Sequence, residues 1–170
     1  MVLLGHLGIG KRMVRPWSEK LPLDWILLGT ILPDIVDKPL YYGHTYFRDF
    51  FDRYVPIITG SRTIGHTLLL LIFVSLLARR GSLKARALAL GMATHLLLDF
   101  TGDLFVSGPS SLLQAALFPL LGANFDVSTF HSLKEHLLSK ITWYMVMGEI
   151  LGAGILTQDW LRRKKTTRPT

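Results

Sequence analysis

The chain has 170 residues, 49% of them apolar and only 18% charged, against about a quarter charged in an average soluble domain. Nineteen Lys and Arg outnumber twelve Asp and Glu, for a net charge of +7. No stripe of cations interleaved with aromatics accompanies that charge, which argues against a nucleic-acid partner. There is no cysteine, so disulfides and thiolate metal sites are excluded and any metal must be held by nitrogen and oxygen ligands.

The length fits one domain, taken as residues 1–161 with a basic tail at 162–170. The N-terminus lacks the charged region and cleavable apolar region of a signal peptide, so none is expected. Residues Val2–Val14 suit a short helix carrying His6, broken by Arg15-Pro16-Trp17. Leu21–Leu32 follows, with Pro22 placed at a helix start, and stops at Pro33-Asp34. Residues 37–59 are aromatic and of mixed charge, and read as a loop with a short amphipathic helix. Thr63–Ala78 and Ala87–Phe105 are apolar runs joined by the basic turn Arg79–Arg86. Leu112–Leu121 is a short apolar helix, Phe130–Ser139 an amphipathic one, and Ile141–Thr157 the last apolar run.

These runs are hydrophobic all round rather than on one stripe, and cations flank them. Both features favour membrane helices with the positive charge on the cytoplasmic side. The fold expected is therefore all-α: a compact integral membrane bundle of about four embedded helices, with a cytoplasmic C-terminal tail. Core helices of a soluble protein are the alternative.

Ionisable side chains inside such segments are costly unless they pair, bind ions or line a cavity. His95 and Asp99 stand four residues apart, on one helix face, with Gly91 and Asp103 on the same stripe. In an antiparallel pair about the basic turn, His66 comes to the same level within roughly 6 Å. Gly65 and Gly91 would let the backbones approach. Asp34 can then enter from the end of the preceding helix. Two imidazoles and two carboxylates suit zinc, manganese or iron, with His6 the best further ligand and Asp37 next. Arg62 precedes His66 by four residues and would suit a phosphate or carboxylate oxygen, or else snorkel at an interface. Asp103 is a candidate to orient a ligand histidine. Glu149, in the middle of the last apolar run, is a second partner for the site, a neutraliser of Arg62 or a protonated structural group.

The ordered motifs Leu32-Pro33-Asp34-Ile35-Val36-Asp37-Lys38-Pro39, Ser61-Arg62-Thr63-Ile64-Gly65-His66-Thr67 and Thr94-His95-Leu96-Leu97-Leu98-Asp99 resemble those of the bacterial and archaeal membrane-bound metal-dependent hydrolases related to YdjM. The layout is also similar to a reduced zinc-dependent phospholipase C. The resemblance spans roughly residues 1–105. It implies His6, Asp34, His66, His95 and Asp99 as metal ligands, and a prokaryotic inner-membrane location. The chain departs from the first family at Asp34-Ile-Val-Asp37-Lys38, where Asp-x-Asp-His is common, and at Ser61, where a histidine is common. Both departures bear on a second metal site. His131 and Glu135 have the spacing of the phospholipase pattern's closing His-x-x-x-Glu.

The function expected is hydrolysis of an ester or phosphoester, lipid or lipid-linked, by water activated on a divalent metal, with zinc first in preference. Arg62 would hold the anionic group, and Asp34 or Asp37 would accept the proton. The alternatives are a non-enzymatic membrane protein that binds or conducts metal ions or protons, and a metal-stabilised scaffold.

Overall fold

The computed structural model describes residues 3–51, 62–106, 110–122 and 143–166. Among these the protein is entirely helical: α1 (Leu3–Val14), a single 3-10 turn (Arg15–Trp17), α2 (Leu23–Phe51), α3 (Leu68–Arg79), α4 (Leu83–Val106), α5 (Ser110–Ala116) and α6 (Trp143–Thr166). The segment holding His131, Glu135 and the expected helix Phe130–Ser139 lies outside the described residues.

The all-α expectation stands, but the integral membrane bundle does not. No helix among the described residues is long and apolar enough to cross a membrane. The reasons are local. Thr63–Ala78 was expected to be one span, yet its helix α3 starts only at Leu68 and has 12 residues. That is about 18 Å of rise against a hydrocarbon core of about 30 Å. Residues 63–67 instead form a turn whose last residue caps the helix: Leu70 N–H donates to Thr67 Oγ1 at 3.1 Å, as N-cap threonines do. Helix α4 has 24 residues but carries Lys84, Arg86, His95, Asp99 and Asp103. Helix α6 likewise extends past the expected Thr157 to Thr166, through Asp159 and Arg162–Lys164. Apolar side chains nevertheless face outward on α3, where Leu69, Ile72, Phe73 and Leu76 are each more than half exposed.

A second departure is in α2. The helix does not end at Pro33-Asp34; it continues through Pro33 and Pro39 to Phe51. An interior proline removes a backbone hydrogen bond and costs about 3 kcal/mol. Close packing overrides that penalty on both sides of Pro33. A Cβ at Gly29 would lie 2.3 Å from the Leu88 carbonyl oxygen, and one at Gly91 would lie 2.3 Å from that of Ile26. Gly65 sits against Pro33 itself, its Cβ position 2.5 Å from the Pro33 oxygen. The two glycines expected to bring α3 and α4 together are thus both spent on α2.

The pairings define the topology. Residues 26, 29 and 30 of α2 meet 87, 88, 91 and 95 of α4 in ascending order, so α2 and α4 run parallel. Helix α1 runs against both, with Val14 packed on Ile26 and Ala87 and Gly10 against Thr30 and Thr94. Helix α3 returns antiparallel along α4, Val74 packing on Ala89 and Met92. Helix α6 lies parallel to α1, with Gly8 on Gly152 and Lys11 paired to Asp159. The apolar core therefore sits at the end where α1 finishes and α2 and α4 begin. The polar residues collect toward the other end.

Candidate metal centre

Each imidazole reaches the centre from a different element. His6 comes from the second turn of α1, His66 from the turn before α3, and His95 from the middle of α4. All three are buried, at 1%, 0% and 0% exposure. His95 Nδ1–H donates to the Thr30 carbonyl of α2 at 2.8 Å. A carbonyl can only accept, so the proton of a neutral His95 is on Nδ1 and its Nε2 is a bare lone pair. His66 Nδ1 donates to Asp37 Oδ2 at 2.7 Å, which leaves its Nε2 facing inward too. The two Nε2 atoms stand 3.2 Å apart. Two lone pairs at that distance repel unless a proton or a cation lies between them.

The carboxylates close around the same point. Asp99 Oδ2 lies 3.5 Å from His66 Nε2 and 3.8 Å from His95 Nε2. Asp99 Oδ1 is 3.3 Å from His6 Nε2, outside hydrogen-bonding geometry, and His6 stacks on His95 with centroids 3.9 Å apart. Both ring nitrogens of His6 are buried without a hydrogen-bond partner among the described residues, a state that costs about 1–3 kcal/mol per group. Asp34 Oδ1 approaches His66 Nε2 at 3.8 Å, while its Oδ2 accepts from Lys38 Nζ at 2.5 Å.

These spacings are those of a coordination shell. Zinc–nitrogen and zinc–oxygen bonds of about 2.0–2.1 Å place tetrahedral ligand atoms about 3.3–3.5 Å from one another. His66–His95, His6–Asp99 and His66–Asp99 fall on or near that edge length. Two overlapping ligand groups, His6–His95–Asp99 and Asp34–His66–His95, have their donor atoms within 4.8 Å of each other. They share His95, whose single free nitrogen serves one ion. The orphaned nitrogens of His6 are what a ligand imidazole shows before its metal is counted, so the donor set fits a divalent cation.

Electrostatics agree. Burial lowers the His95 pKa, His6 and His66 add to this, and Asp99 only partly opposes them, so it falls to about 3 and the ring stays neutral. Burial also disfavours the charged form of His66, but Asp37 and Asp99 outweigh it and raise its pKa. Without a metal, His66 holds the proton that sits between the two Nε2 atoms. Burial would raise the Asp99 pKa; the Arg62 guanidinium at 3.1 Å, with His6 and His66 nearby, reverses this and holds it well below the carboxylate range.

The structure reassigns three side chains. Asp37 is fully buried and its lone pairs are occupied. Oδ2 accepts from Thr63 N–H (2.6 Å), His66 N–H (3.2 Å) and His66 Nδ1–H; Oδ1 accepts from Thr63 Oγ1–H (3.0 Å) and Gly65 N–H (2.7 Å). This is a carboxylate that orients His66 and folds its loop, with its oxygens engaged by protein donors rather than open to water. Asp103, expected to orient a histidine, accepts from Arg62 Nη1 at 2.6 Å. Glu149 is in neither ligand group; its Oε2 and Oε1 accept from Leu4 and Gly5 N–H at 2.9 and 3.0 Å. Arg62 itself is 22% exposed, held between Asp99 and Asp103.

Three imidazoles and two carboxylates converging inside a helical bundle define a divalent-metal protein. The match to known families gives the metal: the model of the zinc-dependent phospholipase C family matches residues 5–102, more than half of the chain. The chain belongs to that family. The matched stretch contains His6, Asp34, Asp37, Arg62, His66, His95 and Asp99 but not Asp103, His131, Glu135 or Glu149, and nothing supports membership of the membrane-bound YdjM-like group. No curated protein and no solved structure shows significant similarity.

Proposed function

We propose that the protein is a phosphodiester hydrolase of the phospholipase C type, acting on a lipid phosphoester, with His6, Asp34, His66, His95 and Asp99 holding the metal. The observation that carries this reading is the confrontation of the His66 and His95 Nε2 atoms across 3.2 Å beside the buried His6 nitrogens, which have no hydrogen-bond partner among the described residues, in a chain of the zinc-dependent phospholipase C family. When bound, zinc lowers the pKa of its water and polarises a phosphoryl oxygen.

The chain's own residues divide the remaining work. Asp37 and Thr30 fix the tautomers of His66 and His95, so that each offers Nε2 inward. Asp34 is 17% exposed, the most open of the carboxylates in the ligand groups, which supports it as the acceptor of a proton from water entering the site. Arg62 keeps Asp99 ionised. Its guanidinium has donors beyond those used on Asp99 and Asp103, and these can meet a phosphate oxygen at the mouth. The outward-facing Leu69, Ile72 and Phe73 of α3 would suit contact with acyl chains, bringing the protein to the surface that holds its substrate.

The test is release of a water-soluble phosphorylated headgroup and diacylglycerol from phospholipid vesicles by zinc-loaded protein. Activity that vanishes on chelation, returns with zinc and is absent from His66→Ala and His95→Ala supports the reading. Turnover that survives chelation, or stoichiometric zinc retained by both variants, would sink it.

A further inference from the structure

Helix α1 poses a problem that the metal site alone does not solve. It has 12 residues, a length at which an isolated helix is marginal in water, and its first N–H groups have no partner within the helix. His6 is its fourth residue. A slip of one residue along this helix would swing the imidazole by about 100° and carry Nε2 out of the cluster.

The observed partner comes from α6, about 145 residues away and beyond the part of the chain that the family match covers. Glu149 spreads its two carboxylate oxygens over the N–H groups of Leu4 and Gly5, the two residues just before His6. An anion is favourable at this end of a helix dipole. The register is then locked one turn on. A Cβ at Gly152 would lie 2.0 Å from the Leu4 oxygen and one at Gly8 would lie 2.3 Å from the Gly152 oxygen, so the two backbones touch and cannot slide without collision. Further along, Lys11 Nζ pairs with Asp159. At the same end as Glu149, Tyr144 donates its hydroxyl to the Leu98 carbonyl at 3.1 Å, and Gly102 lies against its ring. Helix α6 therefore grips α1 and also touches α4, the two elements that bring His6 against His95 and Asp99.

We propose that Glu149 is a positioning residue for the metal centre: by clamping the first N–H groups of α1 it sets the register that presents His6 to the ion. The carboxylate in the middle of an apolar helix is thereby accounted for. The proposal rests on His6 being a ligand, and the experiment separates the two.

Zinc affinity is measured by competition with a chromogenic chelator, and the cobalt-substituted visible spectrum is recorded, for wild type, His6→Ala, Glu149→Ala, Glu149→Gln and the double variant His6→Ala/Glu149→Ala. Circular dichroism checks that each is folded. Loss of such an orienting partner costs about 10–100-fold in metal affinity. Glu149→Ala should show that loss and shift the cobalt spectrum toward that of His6→Ala. Glu149→Gln, which keeps one acceptor, should recover part of it. In the His6→Ala background, Glu149→Ala should add nothing. Equal further weakening in both backgrounds would show a general packing role and overturn the proposal, as would a wild-type affinity in Glu149→Ala. If Glu149→Ala does not fold, Glu149→Gln decides: wild-type affinity and spectrum overturn the proposal. An unchanged affinity in His6→Ala would instead refute the ligand assignment beneath it.

Discussion

Replacing Asp37 by asparagine exchanges one oxygen for an amide nitrogen and leaves the shape almost unaltered, so its effect isolates the hydrogen bonds. The less costly orientation keeps the amide oxygen where Oδ2 stands, accepting from the Thr63 and His66 amides and from His66 Nδ1. The NH2 group then replaces Oδ1. Thr63 Oγ1 can turn and accept from it, but the Gly65 N–H, 2.7 Å away, faces a donor. One buried orphan amide costs about 1–3 kcal/mol, and the bonds that remain lose their charge assistance, so Asp37→Asn should destabilise the metal-free protein by about 3 kcal/mol. That is a large part of a typical total of about 5–15 kcal/mol. Urea unfolding of metal-free wild type and variant at pH 7 measures it.

The pH dependence gives a second readout of the same variant. Burial raises the Asp37 pKa, but the hydrogen bond and charge of His66 and the amides of Gly65 and Thr63 prevail and hold it below its ordinary 3.8. A carboxylate depressed in the folded state contributes its stability above the unfolded value. That contribution is lost as pH falls through the folded one. The stability gap between wild type and Asp37→Asn should therefore shrink below pH 3.8 and, because Asp37 also raises the His66 pKa, narrow again as pH rises through that raised value. A difference under about 1 kcal/mol at pH 7, the worth of a single ordinary hydrogen bond, would refute the claim that Asp37 organises the His66 loop.

Two further outcomes follow from the same geometry. Because His66 holds a proton on the metal-free site at pH values above those of an ordinary histidine, zinc binding should release it. Affinity should rise about tenfold per pH unit below the raised pKa and flatten above it; calorimetry in buffers of different ionisation enthalpy reads the proton count, and zero protons released near pH 6 would contradict the account. Gly91→Ala would drive a methyl group to 2.3 Å from the Ile26 carbonyl oxygen, a backbone atom with little freedom, and should cost about 1–3 kcal/mol or more, seen as a lower urea midpoint; an unchanged midpoint would show that α2 and α4 do not touch there.

The His/Asp cluster was legible in the sequence because its residues are chemically out of place: His66, His95 and Asp99 interrupt apolar runs, and the i, i+4 spacing of the last two puts them on one face without knowledge of the fold. Asp34 and His6 could be added because few other imidazoles and acids occur in such surroundings. What each residue does beyond the cluster was not legible. Asp34 and Asp37 are both acids in the short stretch between Pro33 and Pro39, and only the return of residues 63–66 onto α2 turns one of them into a loop anchor. Glu149 was visible as an anomaly, but its partners are backbone amides, which carry no sequence signal. The membrane reading failed for a related reason. Composition reports how apolar a run is, whereas the 12-residue length of α3 is set by the Thr63–Thr67 turn, held by Asp37 from another helix. The continuation of α2 through Pro33 likewise goes with glycine contacts, Gly29 and Gly91 between α2 and α4 and Gly65 on Pro33, that no local rule foresees.

The most direct test of the account is the position of the bound ion. Crystals of the zinc-loaded protein, measured on both sides of the zinc absorption edge, should show a single dominant anomalous peak enclosed by His6, His66 and His95 with Asp34 and Asp99. A peak elsewhere on the molecule, with the His66 and His95 nitrogens still facing each other across an unfilled gap, would contradict it.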